Sequence, residues 1–338
     1  MTASLVLSVL AGLPLAAAPA DQPMTLLTDH GVELSANEQV FLLFAALNAA
    51  GYAEEPKRKG PPLNAPVYHP IRVEARDALR KTSSLSSMEA VRKVFETHAQ
   101  PIPVYIEAAL SMAGGAPEAS AAAKSLARDL APLSDYRTDA QVVGLYDKLV
   151  NEQRDHMKAL DTALETDFEA ARKVVGDPEL RAPTALVVVP NPLDGHGLVR
   201  KLGMGGTTYL VVGPGLDAAR SAVLVEALRP AVAQMVDGAY GRGKNLARSW
   251  STLSTSKRIT SKWPNGKAYL TDALTHAIVH RARSKADGKG GREADEAFVD
   301  AQAKDGMRWS RAALRILDSH DKGALAESLP GLVARATP

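Results

Sequence analysis

The sequence predicts an α+β fold in which helix predominates. Three observations carry that expectation. Alanine-rich stretches with apolar residues at helical spacing fill most of the chain, aromatics make up only 5% of it, and β-branched runs are confined to two short stretches in the second half. Strong helix formers with few aromatics disfavour an all-β sandwich. At 338 residues, 46% hydrophobic and 23% charged, the chain can bury a sizeable core as one large domain or two smaller ones. A formal net charge of +2 gives no whole-surface attraction for nucleic acid, and no such partner is expected.

Residues 1–20 carry no charge, and the run 5–18 is continuously apolar apart from small residues. Ala18 and Ala20 then stand three residues and one residue before a plausible cleavage point ahead of Asp21. This reads as a secretory signal peptide, too short and too rich in alanine to span a bilayer stably. It departs from the usual pattern in having no Lys or Arg before the apolar run. The expected location is therefore periplasmic or secreted. No second apolar run reaches the roughly 20 residues of a membrane helix, so no transmembrane segment is expected in the mature chain. The absence of cysteine rules out a disulfide framework and thiol chemistry.

Residues 21–178 read as a helical N-terminal half. Ser35-Ala36-Asn37-Glu38 has the form of a capping box, with Ser35 as N-cap, and Gly51 stands where the following helix should end. Residues 53–70 contain five prolines and read as an extended loop. Three helical stretches are expected between positions 71 and 112, broken by the Ser-rich cluster at 83–87 and by Pro101 and Pro103. Helix resumes over 121–131 and again over 138–175, where Val142, Leu145, Leu149, Met157 and Leu160 mark a buried stripe.

Residues 179–338 form the second half, packed with the first as one body. Residues 184–189, bounded by Pro183 and Pro190, read as a strand, and Thr207–Val212 reads as a second, edge strand. The glycine-rich interval between them reads as a loop. A helix over 217–237 follows, then an irregular basic segment at 238–268, then helices near 269–285, 293–304, 309–319 and 323–335.

The strand, Gly-Pro-Gly turn and helix of 207–237 carry the chemistry. The helix places Val225-Glu226-Ala227-Leu228-Arg229 where a His-Glu-x-x-His motif would lie, and a later helix carries Asp272. In order and helix pattern, residues 207–285 resemble the HExxH zinc metallopeptidases of the glutamate-ligand (gluzincin-like) branch, and a group of exported bacterial relatives of them. The resemblance implies a zincin-like second half with a small sheet packed on the active-site-type helix. It puts Glu226 at the general-base position, Val225 and Arg229 at the two histidine positions, and Asp272 at the third ligand.

Those substitutions change the chemistry. Val225 has no lone pair, and Arg229 is permanently cationic. At about 4 Å and an effective dielectric of about 20, a unit charge beside a metal costs on the order of 4 kcal/mol per metal charge. Pro230 removes a backbone donor four residues after Glu226 and is expected to kink the helix there. A zinc ion in the usual place is not expected. Glu226 then has two readings, a vestigial catalytic carboxylate or a face residue paired with Arg229.

An alternative centre is also legible. Asp272, His276 and His280 recur every four residues and form a stripe along one helix face. A zinc ion held there, with Glu226 as base, would make an active metallohydrolase; the plainer reading is a polar helix face. Ser254-Thr255-Ser256-Lys257 matches the S-x-x-K pattern without its companion K-T-G. Between 238 and 271 there is no acid, while Arg242, Lys244, Arg248, Lys257, Arg258, Lys262 and Lys267 are interleaved with Trp250 and Trp263. That segment reads as a solvated loop, a lid, or a surface for an anionic polymer. Taken together, the sequence points to an exported metallopeptidase-like protein without a cofactor that acts as a binding or structural protein, its partner a peptide, a protein or a cell-envelope polymer.

Overall fold

The computed structural model describes residues 24–52, 70–113, 118–182, 185–320 and 323–338. The expected signal peptide at 1–20 and the proline-rich loop at 53–69 lie outside the described residues.

Helix dominates, and the strands gather into one mixed five-stranded sheet. The chain opens with β1 (Thr25–Leu27) and β2 (Val32–Ser35), an antiparallel pair. These two strands correct the expectation of an all-helical first half. They are only three and four residues long, too short for alternation to announce them. Because Ser35 ends β2, the N-cap of α1 (Glu38–Ala49) is Asn37, whose side chain accepts from the Val40 amide. The capping box anchored on Ser35 is corrected accordingly. Gly51, at φ +99°, leads the chain away from the end of α1.

Next come α2 (Pro70–Arg80), α3 (Ser86–Thr97), α4 (Ile102–Met112), α5 (Ala121–Asp129) and α6 (Leu133–Arg137). The long helix α7 (Ala140–Val175) is capped by Asp139 and terminated by the left-handed Gly176. Then β3 (Leu186–Pro190) enters the sheet, parallel to β2 on one side and to β5 (Thr207–Val212) on the other. Between them lies β4 (Val199–Met204), antiparallel to β5. Part of the glycine-rich interval is thus a strand, and β4 rather than β5 is the sheet edge, so both expectations are corrected. Gly205 and Gly206, both at positive φ, close a two-residue hairpin in which a β-carbon would be strained.

Both faces of the sheet are covered, which is why β3 is continuously apolar. Val188, Leu210 and Val212 face a core shared with the C-terminal helices and the second part of α7, while Val187, Val189 and Val211 face the core built by the helices before it. α7 spans both layers: Val142 and Leu149 pack in the second core, and Met157, Leu160, Leu164 and Phe168 in the first.

The remaining helices are α8 (Leu216–Ala239), α9 (Lys244–Leu253), α10 (Lys257–Thr260), α11 (Gly266–Ala286), α12 (Arg292–Lys304), α13 (Ser310–Asp318) and α14 (Leu325–Arg335). α8 continues through Pro230, which lies on its exposed side. The basic segment, expected to be irregular, is largely α9 and α10. Its tryptophans turn inward: Trp250 and Trp263 pack around Tyr269, and Trp309 joins them at 4.9 Å from the Tyr269 ring. Among the described residues no helix is long and apolar enough to cross a membrane.

Candidate functional site

The turn between β5 and α8 fixes where the site begins. A β-carbon at Gly213 would stand 2.1 Å from the Gly195 carbonyl oxygen, so only glycine lets the loop before β4 close against this turn. Two backbone bonds hold the contact, Gly197 N–H to the Pro214 carbonyl at 2.7 Å and Gly213 N–H to the Leu198 carbonyl at 2.8 Å. β4 is thereby held at the sheet edge near α8, and α11 packs along α8.

Side chains from these elements form one chain of alternating charge. Lys201 on β4 donates to Glu226 Oε2 at 2.6 Å. Arg229, one turn along α8, donates to Glu226 Oε1 at 3.3 Å and also to Asp272 Oδ1 on α11. The Trp263 indole N–H donates to Asp272 Oδ2 at 2.9 Å. Both carboxylates are largely withdrawn from water, Glu226 at 13% and Asp272 at 12% side-chain exposure, and both are satisfied by cations and an N–H donor. Two cations balance two anions along this line.

Zinc does not fit these residues. Val225 is buried in the core, with no donor atom. The Arg229 guanidinium bridges Glu226 and Asp272, so the space between those carboxylates holds a fixed cation already. The pairing of Glu226 with Arg229, one of the two readings of the sequence, is the arrangement found.

Asp272, His276 and His280 do share a face of α11 but do not converge. His276 Nε2 lies 3.8 Å from Asp272 Oδ1, beyond hydrogen-bond reach. His280 turns to α12: its Nε2 is 2.8 Å from Asp295 Oδ1, and its ring stacks on Phe298 with centroids 4.4 Å apart. Asp295 also accepts from Arg281 at 2.8 Å. Among the described residues no group of three or more His, Asp or Glu is placed to hold a metal ion. The structure therefore does not bring together the three residues of the alternative zinc centre that helical spacing suggested.

The His276 imidazole is held below its ordinary pKa. Burial, foremost, and then the Arg229 charge lower its pKa, against the opposing pull of Asp272, Glu226 and Asp305.

Two hollows flank the ion-pair line, of about 690 and 660 Å³, and Arg229, His276 and Gln302 border both. The first is floored by Trp263, Thr271 and Asp272; the second is walled by Val199, Val225, Val279 and Phe298. Sequence reasoning missed Lys201, Asp295, Phe298 and Gln302. Lys201 lies on the strand read as a loop, 25 positions from its partner. The other three sit on α12, whose placement beside α11 no local pattern announces.

The remaining sequence candidates lie elsewhere. Ser254 Oγ donates to the Ser251 carbonyl at 3.2 Å, and no bond joins Ser254 to Lys257 among the described residues. The His196 ring sits beside Gly215, in the loop that meets the β5–α8 turn. Comparison of the chain with protein-family models, with curated proteins and with solved structures finds no match.

Proposed function

We propose that the chain is an exported, metallopeptidase-like protein that has exchanged a metal for an internal ion-pair bridge and works as a binding protein rather than a hydrolase. One observation carries this: Arg229 joins Glu226 to Asp272 across α8 and α11. The supporting layout is an antiparallel edge strand beside a helix bearing the glutamate, with an acidic residue supplied by the next long helix. A guanidinium neutralises both carboxylates without offering a Lewis acid or an ionisable water, so Glu226 has no activated nucleophile to serve. The groove on either side of the bridge remains open and supplies the binding surface. The export expectation rests on residues 1–20 and the periplasmic or secreted location follows from it.

The test pairs zinc content with peptide hydrolysis. Wild type and Glu226→Gln, both equilibrated with zinc and desalted, should hold no stoichiometric metal and show the same background rate on a mixed peptide library. One equivalent of zinc with a rate that Glu226→Gln abolishes would establish the hydrolase instead.

A further inference from the structure

The groove's composition points to the class of ligand it takes. Its floor is charge-compensated: Lys201 and Arg229 are matched by Glu226 and Asp272. Arg283, on the wall of the second hollow, is matched by Asp217 at 2.8 Å and Asp287 at 3.4 Å. Lys262, Lys289 and Asp305 are exposed at the rims, where solvent screens them. A ligand charge carried onto this floor would lose its hydration and meet no uncompensated counter-charge.

Two of the three residues shared by both hollows behave differently from their surroundings. The His276 ring and the Gln302 side-chain amide make no hydrogen bond among the described residues, although each combines donor and acceptor capacity. Thr271, 6% exposed, lines the same hollow as His276, and its hydroxyl also donates to no described partner. The second hollow also carries an apolar wall of Val199, Leu210, Ala222, Val225, Val279 and Phe298, beside the paired charges of Lys201, Glu226 and Arg283. Val225, at the position where the motif would carry a metal-binding imidazole, contributes to that wall.

We infer that this groove binds an uncharged amphiphile, with an apolar body in the Val225–Phe298 hollow and a head bearing both a donor and an acceptor, such as an amide, on His276 and Gln302. The inference rests on the proposed function, in that it names the ligand class of the groove left beside the Arg229 bridge. A head of this kind satisfies an imidazole and a carboxamide at once, whereas a carboxylate offers no donor and an ammonium no acceptor. The body gains by leaving water in proportion to its apolar area.

Hexanamide, hexanoate and hexylammonium share a chain length and differ in charge, so their titration into the full chain in a chelator-containing buffer isolates the head group. Changes in the His276 ring proton resonances follow binding. Hexanamide should saturate and bind about tenfold or more tightly than either ion, a difference of about one hydrogen-bonded head group. In Gln302→Leu, on the exposed helix α12, and in His276→Phe, followed through ligand signals, that preference should shrink to about threefold or less. If His276→Phe does not fold, Gln302→Leu carries the comparison alone. Equal or tighter binding of either ion, absence of saturation by hexanamide, or a preference undiminished in Gln302→Leu would overturn the inference. Because the buffer chelates metal, stoichiometric zinc in the separate metal assay would defeat the proposed function without touching the amide preference. A lost preference would defeat the binding site alone.

Discussion

Arg229 on α8 donates to the Asp272 carboxylate on α11, and the same guanidinium reaches Glu226 one turn back on its own helix. A single cation therefore holds two largely buried anions on neighbouring helices. Removing it leaves Asp272 with no counter-charge and only the Trp263 N–H, while Glu226 keeps Lys201. Arg229→Met should destabilise the protein by about 2–3 kcal/mol, below the cost of a fully buried pair because the Arg229 side chain is 33% exposed. Adding Asp272→Asn, which still accepts from Trp263, should recover part of that loss. Urea unfolding of the single and double variants checks both; a double variant less stable than Arg229→Met would remove the premise that the stranded charge is what costs.

A second prediction concerns acid sensitivity. His30 is buried, stacks on Phe168 at 4.6 Å between ring centroids, and faces the Arg172 guanidinium at 3.2 Å. Burial first, then Arg172, lower its pKa, while Asp29, Glu165 and Asp161 pull the other way. The folded state therefore binds the proton less readily than the unfolded state. Stability from this group is complete above the unfolded pKa of about 6.5 and drains away as pH falls below it. His276, lowered for the same reason, adds to the effect. Unfolding free energy measured from pH 8 to 5 should decline below about 6.5, and less steeply in His30→Phe, which keeps the stacking surface and does not titrate. An unchanged slope in that variant would show that His30 is not a source of the effect.

Asp194 is a third test. Its fully buried carboxylate accepts from Arg200 Nε at 2.7 Å, the Tyr52 hydroxyl at 2.7 Å and the Gly195 amide at 2.8 Å. This network fixes the loop that enters β4, and with it Lys201. Asp194→Ala should cost about 3 kcal/mol and Asp194→Asn distinctly less, since the amide oxygen still accepts. Thermal or denaturant unfolding reads the difference.

No residue of α12 is fully buried; Phe298 and Val299 rest partly buried against the core, and polar contacts complete the attachment. Asp295 ties it to α11, meeting both His280 and Arg281. Asp295→Ala should speed amide exchange in α12 by about tenfold while leaving the centre of α11 unchanged. Equal acceleration in both helices would mean a global loss of stability instead.

The helices were legible where the chain writes them plainly. Asp139 and Gly176 bracket α7, and of its expected stripe Val142, Leu149, Met157 and Leu160 are buried while Leu145 is half-buried. β3 and β5 showed in their β-branched runs. β4 did not, because Arg200, Lys201 and Gly203 dilute its alternation to the point where the turn glycines dominate. β1 and β2 are simply too short. At the site, the meeting of Glu226 and Asp272 was implied only by the family resemblance, while the pairing of Glu226 with Arg229 followed from helical spacing. The fate of His280 did not, since equal spacing along α11 says nothing about Asp295 and Phe298, which arrive from α12 and take the ring for a hydrogen bond and a stack.

The most direct measurement is a zinc titration by calorimetry on wild type and on the double variant Val225→His, Arg229→His. Wild type should take up no stoichiometric zinc. The variant, which removes the bridging cation and supplies two imidazoles beside Glu226 and Asp272, should bind one equivalent. One equivalent bound by wild type, lost in Asp272→Asn, would contradict the proposal that the Arg229 bridge replaces a metal.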